Sequence, residues 1–169
     1  MDWRRRQGKA TEKEIRLSLE ALQKKWKSLW FMKLMDFKSY YQINRHLVAP
    51  RQPSDFIAVF KGKFYALEVK SSREKKRYPF IFVQKHQKQS LLDIERAGGE
   101  GWILLSWRRW MYEPRRRNRM FGFRIKDWKR LESSMAKSGL KSVDWGTVVQ
   151  NGLKFKRKGG VWKLEKVFV

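Results

Sequence analysis

The stretch that most constrains this chain is SDFIAVFKGKFYALEVKSS, residues 54 to 72. It reads as two strands, 55 to 60 and 64 to 70, around Lys61-Gly62-Lys63. If Lys61 and Gly62 make a two-residue turn, Phe60 pairs with Lys63. Counting outward then sets Asp55 opposite Glu68. Directly opposed residues share a face of the sheet. Glu68 and Lys70 are two apart and share that face as well. Two carboxylates and a lysine therefore converge on an otherwise apolar strand pair.

This is an unusual place for them. The chain has 41 Lys and Arg but only 16 Asp and Glu, a formal net charge of +25. One sign in such excess works against compaction by self-repulsion, and a polyanionic partner accounts for it. Nucleic acid is the first candidate, because Lys and Arg bind it by counterion release. A membrane partner is not expected: there is no strongly basic amphipathic helix, lipidation motif or apolar run of ~18 residues. With 169 residues, 41% hydrophobic content and nine Trp, the chain is expected to form one domain, 1–169, with a real core. The absence of cysteine removes disulfides, thiolate ligands and a Cys nucleophile. No secretory signal is read at the N-terminus, and a cytoplasmic location is expected, or a host's cytoplasm for a viral source.

Residues 1 to 10 read as a basic arm. Thr11 and Glu14 have capping-box spacing. Ile15, Leu19, Leu22, Trp26 and Leu29 recur at helical spacing, and Glu12, three before Ile15, extends that stripe. Residues 84 to 97 read as a second helix, with Gln87 on the face of Leu91 and Gly98-Gly99 closing it. Residues 101 to 107 read as a buried strand, FGFRI as a strand and KDWKRLESSMAKSG as a helix. Asp144 stands where it would cap a short last helix. Residues 153 to 169 read as a C-terminal hairpin around Gly159-Gly160. A short strand is read within 36 to 53.

Two carboxylates facing each other at ~5 Å repel. A lysine offsets part of this. A hard divalent cation offsets more, since Mg²⁺ takes a few carboxylate oxygens and retains water. Such an ion makes its water more acidic, and Lys70 beside it is suited to orienting that water or steadying charge on a phosphate.

The order Pro53, Ser54, Asp55 and then, thirteen positions on, Glu68-Val69-Lys70 resembles the PD-(D/E)xK nuclease core. DFIAVFKGKFYALEVKSS, YPFIFVQKHQKQSLL and AGGEGWILLSW resemble RecU-type Holliday-junction resolvases, and more loosely the archaeal Hjc type. Gly8 and Glu12 match their first motif, and His86-Gln87 their helix motif. The resemblance covers roughly residues 8 to 107. It implies an α/β fold, a mixed central β-sheet flanked by helices with a restriction-endonuclease-like core. It also implies a homodimer and Mg²⁺-dependent cleavage of four-way junctions, with Mn²⁺ as a substitute. Carried over by position, Asp55 and Glu68 are metal ligands, Lys70 the catalytic lysine, and Glu12 and Gln87 supporting site residues, Glu12 with a share in the metal. One departure stands out. Residues 42 to 54 are too few for the stalk-forming insertion of RecU enzymes, and here the chain is more like Hjc.

Three basic segments are candidates for tracking phosphates. They are Arg4, Arg5, Arg6 and Lys9; Arg73, Lys75, Lys76 and Arg77; and a loop holding Arg115, Arg116 and Arg117. Trp107, Trp110 and Tyr112 are base-stacking candidates. His46 and His86 lack the further ligands of a zinc site. Two rivals remain at this stage: another nuclease of the same core acting on duplex or flap DNA, and an inert nucleic-acid-binding protein. Retention of Asp55, Glu68 and Lys70 argues against the second.

Overall fold

The computed structural model describes residues 3–34, 52–108 and 118–169. Ile15, Leu19 and Leu22 form the buried stripe of helix α1 (Trp3–Lys25). The helix starts well before the expected cap. Residues 3 to 10 are its first turns rather than an arm. Thr11 Oγ1 donates to Gln7 O at 3.0 Å, back along the helix. Glu14 reaches across the fold: its oxygens accept from Arg108 at 3.2 Å and from Trp162 Nε1 at 3.1 Å. The capping-box spacing thus serves tertiary ties. The helix also ends at Lys25, short of the expected stripe, and Leu29 opens strand β1 (Leu29–Lys33).

β1 pairs antiparallel with β2 (Phe56–Phe60), and β2 with β3 (Lys63–Ser72). Lys61 and Gly62 both take positive φ, 50° and 77°, the pattern of a tight hairpin turn. Phe60 faces Lys63 as counted from the sequence. A short strand β4 (Arg77–Pro79) and a 3₁₀ turn over Phe80–Phe82 lead into helix α2 (Lys85–Arg96). β5 (Glu100–Trp107) then runs parallel to β3, the pairing that needs a crossover helix. α2 lies directly on β5. A Cβ at Gly101 would meet Leu91 O at 2.7 Å, so glycine permits that contact.

β6 (Arg119–Arg124), α3 (Ile125–Lys137), β7 (Ser142–Asp144), α4 (Trp145–Asn151) and β8 (Leu153–Phe155) complete the body. Asp144 caps α4, accepting from Thr147 N at 2.9 Å, as its position promised. The six-stranded sheet has the order β1-β2-β3-β5-β6-β8. The expected hairpin over 153–169 divides. β8 joins β6 in the main sheet, and only β9 (Arg157–Lys158) and β10 (Val161–Trp162) pair across Gly159-Gly160.

Two cores lie on the two faces. One packs α1 and the C-terminal Trp162, Leu164, Val167 and Phe168 against Phe56, Ala58 and Leu67. The other packs α2, α3 and α4 against Ala66, Ile103, Leu105 and Phe121. The fold is therefore α/β, a mixed sheet flanked by helices, as expected. Among the described residues no helix is long and apolar enough to cross a membrane. The short strand read within 36 to 53 falls almost wholly outside the described residues.

Candidate active site

The hairpin delivers the opposition read from the sequence. Asp55 and Glu68 stand one step beyond the last ladder pair, Phe56 and Leu67. Asp55 is anchored twice. Its carbonyl accepts from Leu34 N at 2.9 Å, and its carboxylate Oδ2 accepts from Val69 N at 2.7 Å. Glu68 is almost fully buried. Lys70 Nζ lies 2.7 Å from its Oε1. Gln87 Nε2 donates to the same oxygen at 2.5 Å. α2 presents Gln87 because its third residue closes a reciprocal cap with Gln84, whose N–H donates to Gln87 Oε1 at 3.0 Å.

Burial is the main force on both acids. It pushes Asp55 up to about 6, against the opposing pull of the Val69 N–H and of Lys70. Burial, then the Asp55 charge, pushes Glu68 up to about 8, although Lys70 favours its ionised form. Glu12 adds a smaller repulsion to both. Glu12 Oε2 is itself held by Lys33 Nζ at 2.6 Å, so the α1 carboxylate is pinned at the end of β1.

This donor set suits a hard cation. Two anchored carboxylates resist ionising because they are buried and repel each other, and a divalent ion relieves both. Among the described residues no three acidic, His or Cys side chains converge as a metal-holding group, so Glu12 is not brought together with Asp55 and Glu68 as such a set.

A family model described as Recombination protein U matches residues 7–163. The chain belongs to the RecU family. Among solved structures this RecU-family chain is similar to the 1.6 Å structure of Hjc from Archaeoglobus fulgidus, a Holliday junction resolvase from an archaeal hyperthermophile. The identity is 17%, over 88% of this chain and 91% of that one, with a TM-score of 0.48. No curated protein matches the chain.

The basic segments of this RecU-family chain divide. Arg6 and Lys9 are exposed on α1, and Lys75 and Lys76 on the loop after β3. Arg77 is occupied structurally: its Nε donates to Ser142 Oγ at 2.8 Å and a terminal nitrogen to Ser142 O at 2.6 Å, joining β4 to β7. Trp107 is stacked on Trp145 at 4.5 Å with Arg119 over its ring, so its face is already covered. Trp110, Tyr112, Arg115, Arg116 and Arg117 lie outside the described residues, as do the side chains of Arg4 and Arg5. Sequence reasoning missed Gln7, Tyr78 and Ile81, which line a cleft beside Lys70. Nothing in their spacing marks them, since the cleft joins α1 to the segment after β3.

Proposed function

We propose that Asp55, Glu68 and Lys70 form the hydrolytic centre of an endodeoxyribonuclease that resolves four-way DNA junctions, with Glu12 and Gln87 as positioning residues. Membership of the RecU family makes the chain a Holliday junction resolvase. The observation that carries the assignment of its centre is the buried Asp55–Glu68 pair, opposed across a hairpin, with Lys70 on Glu68.

Asp55 and Glu68 would hold the cation, Mg²⁺ with Mn²⁺ as a substitute, and Glu12 would support it from the rim. When bound, such an ion supplies Lewis acidity toward a phosphoryl oxygen or water. The chain's own groups do the rest. The Val69 N–H and the Leu34 N–H fix the Asp55 backbone and carboxylate before substrate arrives. Gln87 and Lys70 both hold Glu68 by Oε1, so Oε2 takes neither of these two donors. Lys70 is partly exposed, which lets its ammonium donate to an oxygen of the scissile phosphate and steady the charge that builds there. Water attacks the scissile phosphorus in line; the P–O bond to the leaving sugar oxygen breaks as the new one forms, and the leaving oxygen takes up a proton in place of the one that water gives up.

Exposed lysines and arginines around this centre supply sequence-independent attraction for DNA, in keeping with the +25 charge. A C2 homodimer would set two such centres against the two strands of a junction. An apolar row supports it. Trp30, Val59 and Phe64 align across β1, β2 and β3, and Trp30, Met32 and Phe64 are exposed. The expected location is the cytoplasm, or a host's cytoplasm for a viral source.

The test is incubation of four-way, flap and linear duplex DNA with the protein and Mg²⁺, beside Asp55→Asn. Paired cuts in the four-way junction by the wild type alone support the reading. Equal cutting of linear duplex, or cutting by folded Asp55→Asn at the wild-type rate, overturns it.

A further inference from the structure

We propose that the cleft beside Lys70 is the subsite for the nucleotide flanking the scissile phosphate, with Gln7 and Tyr78 contacting it and Ile81 and Phe82 walling it. The inference rests on the hydrolytic reading above. The cleft, of about 280 Å³, opens near the carboxyl ends of the parallel strands β3 and β5. That is where open α/β sheets take their ligands. Lys70 forms one side, so whatever enters is next to the hydrolytic centre. The volume is at the small end for a ligand site and suits one nucleotide rather than a duplex.

Two observations point to a ligand. Gln7 Oε1 and the Tyr78 hydroxyl are both buried and have no hydrogen-bond partner among the described residues, and both residues line this cleft. Gln7 is 6% exposed and Tyr78 0%. Unpaired buried polar atoms are costly and uncommon, so two on one cleft call for a partner that arrives from outside. Two other lining residues are apolar and open: Ile81 is 80% exposed and Phe82 38%. An apolar wall beside polar groups matches a nucleotide, which offers a flat base face for packing and a base edge for hydrogen bonds.

The chemistry sets a preference. The orphan on Gln7 is an acceptor. Adenine, cytosine and guanine carry an exocyclic amine that projects from the base and donates to it; thymine carries none, and its one donor, the ring N3–H, lies between two carbonyl oxygens that repel an acceptor. The subsite therefore disfavours thymine beside the cut, adding base choice to the reading of junction shape.

The experiment uses four-way junctions with each of the four bases at the nucleotides on either side of the cut. Single-turnover rates in Mg²⁺ are measured for wild type, Gln7→Leu and Tyr78→Phe, with thermal midpoints for each. Wild type is expected to cut with thymine at one of these positions at least about five-fold more slowly than with the other bases. Gln7→Leu is expected to level that profile. Tyr78→Phe removes a hydroxyl that has no partner among the described residues, so its midpoint is expected to stay or rise while its cutting rate falls about ten-fold. A wild type that cuts no junction overturns both the hydrolytic reading and the subsite. A wild type that cuts at equal rates for all four bases, or variants that keep the wild-type rate and profile, overturn the subsite alone.

Discussion

Gln87 joins the cap of α2 to Glu68: its Nε2 donates to Glu68 Oε1 at 2.5 Å while its Oε1 accepts from the Gln84 N–H at 3.0 Å. One amide therefore sets both the start of a helix and the orientation of a buried acid. Gln87→Leu removes both bonds. The expected result is a loss of about 1 kcal/mol in stability from the cap, a cutting rate lower by ten-fold or more, and unchanged junction affinity. Denaturant unfolding, single-turnover cutting and gel shifts in EDTA measure the three separately. Unimpaired cutting would remove Gln87 from the site.

Asp55 and Lys70 separate binding from chemistry. Asp55→Asn keeps size and hydrogen bonding but removes the proposed anionic ligand, next to where DNA would lie in that reading. Cutting should drop by orders of magnitude, and junction binding without metal should stay equal or tighten. Lys70→Ala should also stop cutting, but it removes a cation, so binding should hold or weaken slightly. Gel shifts in EDTA, with circular dichroism to confirm folding, distinguish this opposite drift from a general loss of fold.

The acids also make stability depend on pH in a definite direction. Asp55 and Glu68 bind protons more tightly when folded than at their ordinary values of 3.8 and 4.5. The stability they lend is thus fully present below those values. It is lost as pH rises through about 6 and then about 8. A metal held by this pair, as proposed, would displace the same protons, so Mg²⁺ should raise the thermal midpoint more at pH 8 than at pH 6. Glu68→Gln should flatten the metal-free decline and abolish the Mg²⁺ effect. Thermal scans in EDTA and in Mg²⁺ across this range decide it, and a Mg²⁺ effect that shrinks with pH would contradict the assignment.

The apolar row on the outer strands gives a test of assembly. Trp30 is 47% exposed and Met32 44%. Trp30→Lys places a charge in that row without touching the hydrolytic centre. Sedimentation should show a dimer for wild type and a monomer for the variant. Paired cuts in one junction should become single nicks. A wild type that sediments as a monomer while still cutting in pairs would rule out this use of the face.

Lys61-Gly62 shows how much was legible in the sequence. Strand alternation and a two-residue turn fix register by counting, because the side-chain period is two and a slip of one would flip Glu68 to the other face. Asp55, Glu68 and Lys70 were therefore brought together by local rules alone, and the half-buried position of Gln87 on the face of Leu91 followed from its spacing to that residue. Thr11 and Glu14 show where local rules stopped. Their capping-box spacing was real, yet Glu14 accepts from Arg108 and Trp162, partners nearly a hundred residues or more away, and the helix runs on past the cap. Leu29 fits a helical stripe equally well, but pairing with Phe60 makes it a strand residue. Gln7, Tyr78 and Ile81 carry no common period at all. Only the tertiary structure could bring α1 against the segment after β3 and leave two buried polar atoms facing one cleft. Such contacts are set by how elements pack, and packing between distant segments has no period that a sequence can display.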